Sequence, residues 1–156
     1  MKRLCMSAAV IAVALLVGHG RAGAHCEMPC GIFDDPARFT SMMESQGTIA
    51  KAMAQIAELA PKSMEPQSFN QGVRWVNVKD EHAENVMQTL SQYFMAQRIK
   101  APTDANAEAQ ALFVDRLVKA HAGMVAAMKC KQTVDAAQAE ALKTALQAFQ
   151  KSYEAK

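Results

Sequence analysis

From Asp35 onward the chain repeats its apolar residues at alternating steps of three and four, a period that suits helices packed side by side and not a sheet. Phe39, Met42, Gln46, Ile49, Met53 and Ile56 follow this spacing, which puts them on one stripe of a bundle helix. The body is rich in Ala, Met, Gln, Lys and Glu, all good helix formers. No run of alternating β-branched residues argues for a strand. Asp35-Pro36 predicts the start of the first helix, with Asp35 as N-cap and Pro36 at the first helical position. The stretch from Pro61 to Pro66 breaks it. A second helix is expected over about 71–99, with Val73, Val76, Ala83, Met87, Leu90 and Phe94 on one face. It is the longest of the set, and its ends are free to extend past the others. Asp80 interrupts that face, so it must be partnered or turned to a subunit boundary. Pro102 ends the linker. Thr103 or Asp104 can cap a third helix bearing Phe113, Leu117, Ala120, Met124 and Ala127. Asp135 with Gln138 resembles a capping box. It opens a fourth helix that buries Leu142, Leu146 and Phe149, with Tyr153 in line. Methionines at seam positions read as adaptable core filler. The expectation is one all-α domain, an antiparallel four-helix bundle over about 35–154.

The segment before the bundle has a different character. Lys2 and Arg3 are followed by an apolar run from Leu4 to Val17, broken only by Ser7, and then by Ala22-Gly23-Ala24. A basic tip, an apolar stretch and an A-x-A site form a secretory signal. The run is fourteen residues long, short of the roughly 18 of a spanning helix. Residues 1–24 are therefore expected to be removed by a signal peptidase. That leaves an exported chain, periplasmic or secreted, with no membrane attachment after cleavage. Residues 25–156 would remain, with 14 basic against 15 acidic residues. A charge so near zero gives no reason to expect nucleic acid or an anionic membrane as partner. Cys5 leaves with the leader, while Cys26, Cys30 and Cys130 stay. An odd number does not suggest a disulfide framework.

Cleavage after Ala24 exposes His25-Cys26-Glu27-Met28-Pro29-Cys30-Gly31. His25 then offers its α-amine and its imidazole. Cys26 offers a thiolate and a backbone amide that can deprotonate against a suitable metal, and Cys30 a second thiolate. Amine, amide and two thiolates can lie in one plane. A planar N/S set suits Ni(II) or Cu(II), not tetrahedral zinc. Thiolates and an anionic amide donate charge and stabilise a higher oxidation state, and an axial imidazole adds to this. Pro29 and Gly31 help the chain fold back so that Cys30 meets Cys26.

The H-C-x-x-P-C-G pattern at a processed N-terminus, followed by an aromatic residue and an Asp-Pro helix start, resembles the nickel hook of nickel superoxide dismutases. The likeness is densest over His25 to Phe33. It extends to Asn70–Trp75, Ser91–Arg98 and Met128–Thr133, which are similar to the bundle of cyanobacterial-type members. The resemblance implies a four-helix subunit assembled as a homohexamer, with one nickel ion per subunit held by His25, Cys26 and Cys30. It implies an antioxidant oxidoreductase that disproportionates superoxide to oxygen and hydrogen peroxide by Ni(II)/Ni(III) cycling. Amides near Glu27 and Cys30 would face the incoming anion, and protons would come from ordered water or a thiol. Three positions depart from the family. Phe33 stands where a tyrosine is usual, so its ring can wall the pocket but has no hydroxyl to bind water or an anion. His82 stands where some members carry an arginine near the site. The glutamate that orients the axial imidazole has Glu44 as its candidate here, across a one-residue gap.

Other readings remain open at this stage. The hook could capture nickel or copper without turnover, a non-catalytic periplasmic metal-binding bundle. Cys26 and Cys30 could form a disulfide in an oxidising compartment or do thiol–disulfide chemistry. Cys130 reads as a buried or half-buried free thiol, His121 as an ordinary helix histidine, and Arg74 and Trp75 as packing or interface residues.

Overall fold

The structure, a computed structural model, describes residues 29–103 and 106–155. The expected leader and His25, Cys26 and Glu27 lie outside the described residues. Four helices follow one another: α1 (Asp35–Leu59), α2 (Pro66–Gln88, continued without a break by Thr89–Arg98), α3 (Ala107–Gln132) and α4 (Ala136–Glu154). A short 3₁₀ turn, Ala60–Lys62, follows α1. The start of α1 meets the ends of α2 and α4 through Asp35, Arg98 and Tyr153. Lys79 of α2 meets the last carbonyls of α3. Neighbouring helices thus run antiparallel, and the fold is the all-α four-helix bundle that the seam predicts.

The seam residues form the core. Phe39, Met42, Ile49 and Met53 of α1 pack with Leu90 and Phe94 of α2 and Leu142, Leu146 and Phe149 of α4. Gln46, the one polar residue in the α1 stripe, is buried, and its Nε2 donates to the Ala139 carbonyl at 3.0 Å. Gly123 of α3 lies where an added Cβ would come within 2.9 Å of Leu90 Cδ1, so its missing side chain lets α2 and α3 approach. No helix among the described residues is long and apolar enough to cross a membrane.

Several boundaries correct the sequence reading. Asp34, not Asp35, caps α1: its side chain accepts from the Ala37 N–H at 3.0 Å. Asp35 is the first helical residue and Pro36 the second, positions that need no intrahelical N–H. α2 begins at Pro66, because a proline opens a helix as readily as it ends one. Asn106 is the cap of α3 rather than Thr103 or Asp104, accepting from the N–H groups of Glu108 and Ala109. Asp135 caps α4 as expected, accepting from Ala137. Gln138 takes part through its backbone N–H onto the Asp135 carbonyl, not through a capping-box side chain.

The predicted face of α2 divides in two. Ala83, Leu90 and Phe94 are buried, while Val73 and Val76 are exposed. α3 ends opposite Lys79, so the first turns of α2 run past it and have no third helix to cover them. Asp80, which interrupts the expected face, pairs with the Lys79 ammonium at 2.9 Å.

Candidate active site

The hook joins the bundle through Gly31, Ile32 and Phe33. Gly31 has φ = +81°, a left-handed conformation that glycine adopts freely and residues with a Cβ resist. It directly follows Cys30, whose side chain is exposed. Phe33 is 37% exposed and rests on two groups. The Tyr93 ring meets it edge-on at 5.7 Å between centroids, and the Arg98 guanidinium lies 4.5 Å from its ring centre. Arg38 lies over the Tyr93 ring at 5.3 Å.

Beneath Phe33 is a saturated carboxylate. Asp35 Oδ1 accepts from the Tyr93 hydroxyl at 2.6 Å and from Arg98 Nε at 2.8 Å. Its Oδ2 accepts from Arg98 Nη2 at 2.6 Å and from the Tyr153 hydroxyl at 2.7 Å. A carboxylate has about four lone-pair positions, and all are occupied. Short distances of this kind mark charge-assisted bonds. Burial works against the charged form of Asp35, but the bonds from Arg98, Tyr93 and Tyr153 outweigh it and bring the carboxyl down to about 2. Burial and the Asp35 hydrogen bond push the Tyr93 phenol up to about 12, and the same two causes raise Tyr153. The hydrogen bond to Asp35 raises Arg98. Asp35 therefore stays ionised and both phenols stay protonated across the physiological range.

The local winding of α2 makes this arrangement possible. Thr89–Arg98 is π-helical, a form often found at functional sites, and the Ile99 N–H reaches the Phe94 carbonyl five residues back. Tyr93 and Arg98 are also five apart. In an α-helix they would point about 140° away from each other at 3.6 residues per turn. Bonding over five residues makes them about one turn apart, so both reach Asp35.

The family model for nickel-containing superoxide dismutase matches residues 20–156. The chain belongs to that family. No curated protein and no solved structure gave a match. Membership makes the protein a nickel-containing oxidoreductase that acts on superoxide, and it decides for the enzyme over the non-catalytic metal-binding reading. In this superoxide dismutase the match begins five residues before His25 and so takes in the whole hook.

The candidate residues fall into three groups. His25, Cys26 and Glu27 lie outside the described residues. Pro29, Cys30 and Phe33 stand just before α1. Glu44 and His82 stand further along the bundle. Glu44 is exposed and lines an open cleft with Pro36, Thr40 and Gln150. It is nine residues beyond Asp35, about 14 Å along the helix. The His82 Nδ1 lies 3.2 Å from the hydroxyl of Ser45, the residue after Glu44 on α1. The structure thus brings His82 near Glu44's neighbour and brings neither to Phe33. No group of three or more His, Cys, Asp or Glu able to hold a metal occurs among the described residues. Sequence reasoning gave Asp35 a capping role and Tyr153 a place in line with the core of the fourth helix, and gave no site role to either or to Tyr93 and Arg98. The available signal was the five-residue spacing of Tyr93 and Arg98 within the segment that resembles the family.

Proposed function

We propose that this superoxide dismutase works through its first residues after leader removal, with His25, Cys26 and Cys30 as the nickel ligands. The observation that carries the reading is the placement of the H-C-x-x-P-C-G pattern: it falls directly behind an A-x-A cleavage site and within a family match over 20–156. The donor chemistry fits the ion. Two thiolates, an amine and an amide favour planar Ni(II), and Cys30 is exposed beside a turn that only glycine forms easily. When bound, nickel supplies one-electron redox chemistry between its +2 and +3 states, so that one site can oxidise one superoxide and reduce the next.

The chain's own residues supply the rest. The His25 amine and imidazole, the Cys26 amide and thiolate and the Cys30 thiolate hold the ion, one per subunit. Amides near Glu27 and Cys30 face the anion. The Phe33 ring would wall the substrate pocket, as the resemblance implies. Tyr93 donates its proton to Asp35 at 2.6 Å, so it does not stand in for the hydroxyl absent from Phe33. Protons for peroxide come from ordered water or a thiol. Glu44 and His82 are assigned supporting roles only. Export through the signal peptide to the periplasm would make cleavage after Ala24 the activating step, and the subunits would assemble as a homohexamer.

The test compares protein beginning at His25 with protein carrying one extra residue before it, both loaded with nickel. Fast superoxide consumption by the first and a loss of at least about a hundredfold in the second is expected, since the extension turns the His25 α-amine, one of the proposed donors, into a peptide amide. N-terminal sequencing of the exported protein should begin at His25. Equal activity in the two forms, or a mature start elsewhere, overturns the hook assignment.

A further inference from the structure

We propose that Asp35 is a positioning residue for the dismutation reaction: by fixing Arg98 and Tyr93 together, it holds in place the ring of Phe33, three residues after the proposed ligand Cys30. This rests on the hook reading above and adds to it a residue that touches neither metal nor substrate.

The argument begins from saturation. All four acceptor positions of Asp35 are filled by Tyr93, Arg98 and Tyr153. It has no lone pair left for a water or an anion, so what it contributes is geometry. Two of its three partners are the groups on which Phe33 rests. Arg98 spends Nε and Nη2 on the carboxylate, which fixes the plane of its guanidinium, and its Cζ lies 4.5 Å from the Phe33 ring centre. Tyr93 spends its hydroxyl on the same carboxylate, and its ring stands nearly perpendicular to Phe33, at 79°. One carboxylate thus sets two faces of the Phe33 seat.

Phe33 needs such a seat because it has no polar anchor of its own. A tyrosine at this position could fix itself through a hydroxyl. A partly exposed phenylalanine has only cation–π and edge-to-face contacts, which are individually weak. Such contacts hold a ring only if their partners are already rigid. The doubled Asp34-Asp35 supplies the rigidity. Asp34 takes the capping task and leaves Asp35 free for Arg98 and the two phenols, which tie the start of α1 to the ends of α2 and α4.

The test uses Asp35→Asn, Phe33→Leu and the double variant, read first without metal and then with it. Aromatic NMR of the nickel-free protein identifies the Phe33 ring signals by their loss in Phe33→Leu. In Asp35→Asn these signals are expected to move toward unstructured positions while those of Phe39 and Phe149 stay. Unchanged Phe33 signals overturn the proposal. In nickel-loaded protein the second-order rate of superoxide loss should fall on the order of tenfold in Asp35→Asn at unchanged nickel content. In the Phe33→Leu background the same substitution should have no further effect. Full additivity of the two losses overturns the proposal, because residues that act through one another do not add. If Asp35→Asn does not fold, Arg98→Lys carries the same comparison: it keeps the charge and loses the flat face. Absence of superoxide consumption by the nickel-loaded wild type would instead reject the hook reading, and the metal-free spectra would still decide the role of Asp35.

Discussion

Two charged groups are built into this bundle at helix ends, and they do different work. Asp35 opens α1 and gathers side chains from α2 and α4. Lys79, 3% exposed, gathers backbone at the far end of α3: its ammonium donates to the Cys130 and Lys131 carbonyls at 2.8 and 2.7 Å, with Asp80 at 2.9 Å. Each has the sign its helix end favours, an anion at an N-terminus and a cation at a C-terminus. Lys79 satisfies carbonyls that a terminating helix leaves open, which is an architectural task. Asp35 satisfies no helix donor, since Asp34 already does that. Two of its three partners, Tyr93 and Arg98, meet at Phe33, three residues from a proposed metal ligand. A buried charge that serves the backbone supports the fold. One that serves side chains around a single exposed ring supports a site.

The sharpest test of this division is Lys79→Met, which keeps the volume and removes the charge. Three acceptors lose their donor, two of them at the inner end of α3. The expected loss is about 2–4 kcal/mol of folding stability by urea unfolding. Nickel binding and superoxide consumption below the unfolding transition should be unchanged. A variant with normal stability and impaired activity would show the two ends to be coupled and would break the comparison.

Acid should act on the other end. The Asp35 carboxyl lies at about 2 in the folded protein against an ordinary 3.8. Its charged form is the one favoured by folding, so its contribution is present above about pH 4 and is lost as pH falls toward 2. The shift corresponds to about 1–2 kcal/mol at neutral pH after allowance for partial exposure. Urea unfolding of wild type and Asp35→Asn should therefore differ by about that amount at pH 7 and converge as pH falls through this window. A gap that stays constant across the window would mean that Asp35 stabilises by shape and not by charge.

The seam of three- and four-residue steps was legible in the sequence because burial imposes it, and Phe39, Met42, Ile49, Leu142, Leu146 and Phe149 all lie in the core. The nickel family was legible because the H-C-x-x-P-C-G pattern offers donor types that suit that ion, and the family match over residues 20–156 agrees with it; the ligands themselves stay a proposal. Three features were not. With Asp34 and Asp35 both ahead of Pro36, composition could not say which one caps, and the answer decides whether a carboxylate is free for Arg98. The π winding of Thr89–Arg98 has no compositional mark, so the shared face of Tyr93 and Arg98 was hidden. Lys79 sits three residues after Val76 and four before Ala83, squarely on the seam, yet a lysine there reads as solvent-facing until the end of α3 supplies carbonyls for it. Glu44 was named as a candidate across a one-residue gap in the resemblance. The doubled aspartate lies within that same stretch.

The smallest predicted effect separates the hook from both charged ends. Gly31 is the only residue with positive φ among those described, at +81°, and an added Cβ there would meet nothing within 4 Å. Gly31→Ala therefore introduces no clash and acts through the backbone alone, at about 1 kcal/mol for a left-handed residue with a Cβ. The residue precedes α1 and contributes nothing to the core, so the unfolding midpoint of the bundle should not move. The strain should appear where the turn is used, as a fall of about fivefold in nickel affinity by competition titration. Gly31→Asn should fall less, because asparagine tolerates this conformation better than alanine. If both variants bind nickel as wild type does, the turn after Cys30 is not needed in the metal-bound hook. If both lower the unfolding midpoint instead, the turn belongs to the bundle, and the hook ends before Gly31.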